Sequence, residues 1–334
     1  MGTTDKIEAV SGPQVWNAQT FAALDSWRFV VPDRVIDNLD TVAREARANQ
    51  LDQDTFDYDA TDFPALHAFG SAIADSMRKG TGVAQVKGMP VGRYSTEELK
   101  VLFLVIGRHI GLIGPQALRK RGIGEVMDIE TPGPKEFYYH RGGALPMHMD
   151  PVDAVGLLTI RKAKRGGVSG IASSMAVHNE ILQQRPDLLA LLYRGFKNRR
   201  RESRVSAGGS RLTDHHVPVY ADIGGEVICS YLPQPINMAV DEGLMTLDEQ
   251  ERAALAIMDE TAERPDLIYQ MDLEPGDLQF LNNRVTLHNR GDYEDWPEVE
   301  RRRLLLRLWL TMPGWTKYPP NISHTDVEQD RTPV

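Results

Sequence analysis

The sequence predicts an α+β, mainly β fold: a double-sheet jelly-roll barrel with flanking helices. Short apolar or alternating runs of strand length recur along the chain, at 82–87, 125–130, 136–141, 154–161, 169–174, 268–271 and 303–310, bounded by Gly, Pro and polar turn residues. Helical periodicity is gathered before and inside that series. At 334 residues the chain exceeds the common single-domain size, but large β-rich folds fill that length as one domain, and 41% hydrophobic content supports a sizeable core.

Residues 1–62 are polar and acidic, with a helical piece at Leu39–Ala48, and are expected as an N-terminal extension packed on a barrel domain spanning 63–315. Leu66, Phe69, Ile73 and Met77 recur every three or four residues, so Pro64–Arg78 is an amphipathic helix, and Gly82–Lys87 then alternates as a strand. In Ser95-Thr-Glu-Glu98 a hydroxyl stands three residues before a carboxylate, the pattern of a capping box, which opens a helix toward Gly111. Strands are expected at Glu125–Glu130 and Glu136–Arg141, with Pro132-Gly-Pro134 as the turn between them. Ala154–Arg161 is apolar almost throughout, which suits a strand in the middle of a sheet.

Gly166-Gly167 turns the chain into a strand at Ser169–Ser174, whose last serines open a helix carrying Val177, Ile181 and Leu182, and Pro186–Tyr193 forms another. His178 on the first of these is expected as an ordinary core or surface histidine. Phe196–Leu232 holds strand-like runs broken by Ala207-Gly-Gly209 and Gly224-Gly225. The neighbours His215-His216 face opposite ways on extended backbone and are read as loop residues, not a chelating pair. Thr246-Leu-Asp-Glu249 is a second capping-box pattern, starting a helix to about Glu263. Glu274-Pro-Gly-Asp277 is a turn, and Leu278 and Phe280 lie on a core strand leading to His288. Arg303–Leu310 closes the sheet system, and Pro313, Pro319 and Pro320 mark the exit into a polar tail at 316–334.

Composition excludes several classes. A formal charge of −9 argues against a nucleic-acid partner, which calls for clustered positive charge; Lys197-Asn-Arg-Arg-Arg201 is the dense basic run, read as a solvated loop or strand edge. No stretch reaches the roughly 18 apolar residues of a membrane span, and the N-terminus lacks an apolar signal segment. With Cys229 as its one cysteine the chain forms no intrachain disulfide, which suits a reducing compartment and makes the cytoplasm the default. A small-molecule partner is expected, and a homo-oligomer is left open.

The chemistry concentrates at His148-Met149-Asp150, read with Leu287-His288-Asn289. A histidine and an aspartate two residues apart on extended backbone point to one side, so both can reach one metal ion. A second imidazole at His288 would complete a 2-His-1-carboxylate triad, the ligand set of non-haem Fe(II) oxygenases, which keep coordination positions open. The bland reading of such a tripeptide is a polar loop with an N-cap aspartate. Beyond His288, Arg303 and Arg307 share a face of the last strand and offer guanidinium forks to a carboxylate. An arginine facing the barrel interior needs an anion, and for Arg307 that is either a substrate group or an internal Asp or Glu.

Taken in order, Gly82-Val-Ala-Gln-Val-Lys-Gly88, His148-Met-Asp150, Gly166-Gly-Val-Ser169, Asn283-Arg284, His288, Arg303 and Arg307 resemble the taurine dioxygenase-like (TauD/TfdA) family of Fe(II)/2-oxoglutarate-dependent dioxygenases, from about Gly82 to Trp309. The resemblance implies a double-stranded β-helix of the clavaminate synthase-like kind, with His148, Asp150 and His288 as the catalytic iron ligands. Ser169 and Arg303 would hold the distal carboxylate of 2-oxoglutarate. Arg307 and Asn283 would face a small substrate, with a carboxylate or zwitterion the expected kind, and Tyr138 and Tyr139 are expected to line its pocket unless they pack in the sheet. The insert at about 196–245 would cover that pocket, its Gly and Ser content suiting a lid. Ala144 and Leu145 do not reproduce the family's small-substrate contacts, which points away from taurine. The expected reaction is hydroxylation by Fe(II), 2-oxoglutarate and O2, with release of succinate and CO2. The alternatives are a cupin-like zinc hydrolase or isomerase, which has no need of an arginine fork, a catalytically silent binding module, and a halogenase, which lacks the carboxylate that Asp150 supplies.

Overall fold

Leu304 to Leu310 is buried without interruption, which a strand achieves only when both of its faces are covered. The computed structural model, which describes residues 7–114, 122–128, 143–200, 205, 209–318 and 320–322, shows what covers them. The segment is part of strand β15 (Leu304–Thr311) in a seven-stranded sheet. Its order is β1 (Arg28–Val30), β2 (Val83–Lys87), β12 (Leu278–Asn282), β6 (Ala154–Arg161), β15, β3 (Leu112–Ile113), with β4 (Gly124–Val126) also on β15. All neighbours are antiparallel except β1 on β2. Alternation divides β15: Leu306, Leu308 and Leu310 join the core formed with helices α2 (Asp33–Ala48), α3 (Pro64–Lys79) and α4 (Thr96–Arg108), so Leu305, Arg307 and Trp309 face the other way. Helix α4 starts at the expected box: Ser95 Oγ accepts from Glu98 N–H, and the Glu98 carboxylate accepts from Ser95 N–H.

A second sheet of four strands runs β11 (Tyr269–Met271), β8 (Ser169–Ser173), β13 (Thr286–Arg290), β5 (Leu145–His148). Ala172, Leu287 and Met147 pack outward against α5 (Ser174–Gln184), α6 (Pro186–Arg194) and α8 (Glu249–Ala262). By alternation Ile171, His288 and His148 face inward, toward the large sheet. Val83, Val155, Leu281 and Trp309 from the large sheet meet Ile171 and Met271 from the small one in a shared core. Two facing sheets, antiparallel except for β1, with helices outside both make the double-stranded β-helix. Minor pairs complete it: β7 (Arg165–Gly166) with β14 (Tyr293–Glu294), and β9 (Tyr220–Ile223) with β10 (Glu226–Cys229) around Gly224-Gly225, followed by α7 (Pro233–Asp241).

Residues 7–62 do more than lie on the body. They contribute β1 and α2 to it, and Phe21, on the short helix α1 (Ala18–Ala22), packs against Trp16 and stacks on Trp27 at centroid distances of 4.3 and 4.4 Å. Burial satisfies both indoles: Trp16 Nε1 donates to Thr81 O and Trp27 Nε1 to Phe21 O.

Two expectations are corrected. The cap of α8 is Asp248, not Thr246: Asp248 Oδ1 accepts from Glu251 N–H at 2.7 Å and Glu251 Oε2 accepts from Asp248 N–H at 2.9 Å, so the box sits two residues later than the Thr246–Glu249 spacing suggested. An aspartate serves this role as well as a threonine, and the overlapping patterns are not separable by spacing alone. The strand from Leu278 does not continue to His288; it ends at Asn282, Val285 N–H closes a turn on Asn282 O, and the chain re-enters as β13 in the other sheet. The turn before it is as expected: Asp277 N–H bonds Glu274 O, and Gly276 takes φ 91°, a backbone conformation that suits glycine. The strand expected at Glu136–Arg141 lies outside the described residues.

Candidate metal centre

Strand β5 is short and at the sheet edge, a place where Pro146, with no N–H to give, is tolerated. Its inner neighbour is β13, and the register sets His148 opposite His288, with ring centroids 4.3 Å apart. Glu263, the C-cap of α8, reaches the residues beside both histidines: Oε1 accepts from Met147 N–H at 3.1 Å and Oε2 from Asn289 Nδ2 at 3.4 Å. Asn289 Oδ1 accepts from Gly170 N–H at 3.0 Å, and a Cβ on Gly170 would stand 2.3 Å from that oxygen.

Asp150 lies just past the end of β5. The chain there is anchored by Met149 N–H on Tyr231 O and Val152 N–H on Asp150 O, both 2.8 Å, while Tyr231 Oη donates to Asp259 at 2.6 Å. Donor atoms of His148, Asp150 and His288 all lie within 4.8 Å of one another. From the opposite sheet, Trp309 Nε1 donates to Asp150 Oδ2 at 3.0 Å, and Arg307 Nη1 stands 3.7 Å from Asp150 Oδ1.

The electrostatics suit a cation. Burial alone would raise the Asp150 carboxyl, but Arg307, the two histidines and the Trp309 N–H together hold it below the usual carboxylate range, so it stays anionic. Burial, with His148 alongside, drives His288 down to about 3, leaving a neutral imidazole with a free lone pair. His148 Nδ1 donates to Pro146 O at 2.8 Å, which leaves Nε2 as the nitrogen available to a metal. His288 Nδ1 is buried without a hydrogen-bond partner among the described residues. Two imidazoles and one carboxylate match the ligand set of ferrous oxygenase sites, so the residues present fit the metal.

Arg303 sits immediately before β15, its backbone N–H bound by both Asp295 oxygens at 2.9 and 3.0 Å. Its guanidinium lies 5.5 Å from the Tyr293 ring, and Nη1 is buried without a partner among the described residues. Burial first, and then the neighbouring Arg290, lower it to about 10, which still leaves it charged near neutrality. Ser169 is the cross-strand partner of Arg290, and its hydroxyl is engaged by Gln279 Nε2 at 3.2 Å. Arg302 points elsewhere, donating to the carbonyls of Trp296, Pro297 and Asp128, and Arg301 lies 3.6 Å over the Trp296 ring.

For Arg307 the structure supplies the internal carboxylate: its partner is Asp150. That overturns the step from a buried Arg307 to an anionic substrate, because the guanidinium already faces a negative charge. Asn283 is 1% exposed, and neither of its amide atoms has a partner among the described residues. Beside it Arg284 and Asp153 form an ion pair at 2.7 Å with both side chains 1% exposed; Arg284 also donates to Thr316 O and lies 4.1 Å over Tyr318. Tyr138 and Tyr139 lie outside the described residues. His178 is fully buried, bonded to Tyr193 and Asn179, and His215-His216 lie in irregular chain. In the basic run, Arg199 pairs with Glu242 and Arg200 with Asp214.

Sequence reasoning did not find Trp309, Glu263 or the Arg284–Asp153 pair. Trp309 left a signal, standing two residues from Arg307 and so on the same face of its strand, and Arg284 stands in the Asn283-Arg284 motif, though nothing there names Asp153 as its partner.

Comparison with known proteins agrees with this architecture. The profile of the family described as "Taurine catabolism dioxygenase TauD, TfdA family" matches residues 47–309. FR-33289 synthase from Streptomyces rubellomurinus is 28% identical over 94% of each chain, and the taurine hydroxylase-like protein SAT17 from Stachybotrys chartarum is 25% identical over 78% of this chain and 70% of its own. Among solved structures, asparagine oxygenase in complex with Fe(II), 3-hydroxyasparagine and succinate aligns with a TM-score of 0.64 at 17% identity, over 85% of this chain and 93% of that one. The non-haem iron oxygenase OrfP with Fe and α-ketoglutaric acid aligns at 0.59 and 12% identity, over 85% and 94%. No helix among the described residues is long and apolar enough to cross a membrane.

Proposed function

Because the chain belongs to the TauD/TfdA family of Fe(II)/2-oxoglutarate-dependent dioxygenases, we propose that His148, Asp150 and His288 hold its iron and that it hydroxylates a small amino acid-like molecule. The observation carrying the metal assignment is the convergence of two imidazoles and one carboxylate, within 4.8 Å, between the two sheets. Family membership sets aside the zinc hydrolase or isomerase and the silent binding module; Asp150 sets aside the halogenase.

Iron, 2-oxoglutarate and dioxygen together supply the oxidation of a C–H bond, with succinate and carbon dioxide released. The chain's own residues do the rest. Asp150 stays anionic beside Arg307, His288 stays neutral through burial, and the Pro146 carbonyl engages His148 Nδ1 and so leaves Nε2 for a metal. Arg303, charged and with one buried N–H group unmatched among the described residues, is assigned to the distal carboxylate of 2-oxoglutarate, together with Ser169 on β8 of the facing sheet. Asn283, whose buried amide lacks a partner among the described residues, is assigned to the substrate side.

The zwitterionic substrate class no longer leans on Arg307. It draws support from the structural neighbours, whose bound molecules include hydroxyasparagine and L-arginine. The segment 196–245 is read as the cover of the site, supported by its attachment next to the metal ligands through Tyr231 O and Met149 N–H. A cytoplasmic setting is supported by the need of ferrous iron for reducing surroundings and by the single buried thiol, Cys229.

The test is an anaerobic Fe(II) titration of wild type and Asp150→Ala, followed by a screen of free amino acids and related small carboxylates reading succinate release. One Fe(II) per wild-type chain, lost in the variant, is expected, together with succinate release above background for an amino acid. Equal iron affinity in both proteins overturns the ligand assignment.

A further inference from the structure

The metal-site carboxylate is held from behind by an indole. Asp150 leaves β5 and enters a turn, so no regular strand pairing fixes its side chain. A free carboxylate on such a turn rotates between coordinating through one oxygen and chelating through two. In this protein Trp309, on the opposite sheet, places Nε1 3.0 Å from Oδ2. The ring itself is locked: Trp309 is 8% exposed, packs with Val155, Ile171 and Leu281 in the core between the sheets, and carries the Arg307 guanidinium 4.8 Å from its centroid. The same Arg307 faces Oδ1 at 3.7 Å. One carboxylate oxygen thus accepts a hydrogen bond and the other faces a guanidinium charge, and both partners stand on one rigid strand, two residues apart and on one face.

We propose that Trp309 is a positioning residue for the metal centre: its indole N–H ties Asp150 Oδ2, restricts the carboxylate to coordination through one oxygen, and so keeps open a coordination position that chelation would fill. The proposal rests on the assignment of His148, Asp150 and His288 as iron ligands. An indole has one N–H and no acceptor, so it can hold a carboxylate oxygen without competing for the metal. Outer hydrogen bonds of this kind orient metal ligands, and their loss typically costs about 10–100-fold in metal affinity or activity.

Trp309→Phe keeps an aromatic ring and removes only the donor. Measured anaerobically by calorimetry with Fe(II), or with Mn(II) as a redox-inert probe, its dissociation constant should rise about 10–100-fold over wild type, while Trp309→His, which restores an N–H, recovers part of the loss. A second readout is independent of affinity. Metal titration should change wild-type tryptophan emission through the indole bonded to Asp150, and Trp309→Phe at saturating metal should lose that change although the other four of the five tryptophans remain. Folded Trp309→Phe with wild-type metal affinity and an unaltered emission response overturns the proposal. If Trp309→Phe does not fold, the wild-type indole N–H resonances decide: one signal shifted and exchange-protected by a carboxylate, and moved on addition of Zn(II), is expected, and five signals insensitive to Zn(II) overturn it. Failure of wild type to bind either Fe(II) or Mn(II) would instead remove the underlying ligand assignment, so the two failures are distinguishable.

Discussion

His148 and His288 are direct cross-strand partners on β5 and β13, with imidazole centroids 4.3 Å apart. The spacing of the two imidazole donors is therefore set by the register of a sheet, and a slip of one residue would turn one of them outward. What holds the register is a set of small contacts around it: Glu263 on Met147 and Asn289, and Asn289 on the Gly170 backbone.

Gly170→Ala probes that set. Its Cβ would lie 2.3 Å from Asn289 Oδ1, so Asn289 has to move and release both Gly170 N–H and Glu263. Iron affinity should fall by about an order of magnitude, in the range of other outer-shell changes, with a lower unfolding temperature. Calorimetric iron titration and a thermal melt check it, and wild-type values in both would show that Asn289 does not support His288.

Arg303→Ala should raise the 2-oxoglutarate requirement while leaving iron binding close to wild type. A hydrogen bond to a charged group contributes about 1.5–3 kcal/mol, or roughly one to two orders of magnitude in affinity. Anaerobic titration of 2-oxoglutarate into the iron-loaded protein measures it. An unchanged dissociation constant would remove Arg303 from the cosubstrate site.

Arg284→Met breaks an ion pair whose two side chains are each 1% exposed, leaving Asp153 charged in the interior. Removing one partner of such a pair costs about 3–5 kcal/mol, to be read as a shift in the urea midpoint. The double variant Arg284→Met, Asp153→Leu should regain part of the loss, since the stranded charge is gone. A midpoint for Arg284→Met within error of wild type would refute the argument.

His178 gives a pH dependence. Burial holds its value below the ordinary one, with the Asn179 side chain pulling weakly the other way, so on acidification the unfolded chain takes the proton first. Its contribution is complete above about pH 6.5 and declines as the pH falls through that value, with a limiting slope of about 1.4 kcal/mol per pH unit for one proton. Urea midpoints at several pH values between neutrality and moderate acid should fall less steeply in His178→Gln than in wild type. Equal slopes would show that this imidazole is not protonated differently in the two states.

Much of this was legible in the sequence where a local rule acted alone. Leu66, Phe69, Ile73 and Met77 marked α3 by period, and Ser95 and Glu98 marked the start of α4. The three donor residues were singled out by type and order, and the fold brings them together. What escaped depended on contacts made across the chain. Two overlapping capping patterns, at Thr246 and Asp248, cannot be ranked without knowing where the helix packs. The break between β12 and β13 depends on Asn282 bonding its neighbours, which has no signature in hydropathy. The partner of Arg307, Asp150, is 157 positions away in sequence and adjacent only in the folded barrel. Glu263 looks like any exposed helix-end carboxylate until β5 and β13 are laid beside it.

The link from β12 to β13 has a consequence for how such a chain can change over time. Between Asn282 and Thr286 the backbone is almost fully engaged: Asn283 N–H on Asp153 O, Arg284 N–H on Asn282 Oδ1, Arg284 O under Cys229 N–H, and Val285 O under Ser174 N–H. A residue gained or lost in β13 ahead of His288 would reverse which side of the sheet that imidazole occupies. The length of this link is therefore under as strict a constraint as the identity of the histidine it delivers. Insertions and deletions have to be absorbed elsewhere, and the hairpin at Gly224-Gly225, where an added Cβ meets nothing within 4 Å, has the room.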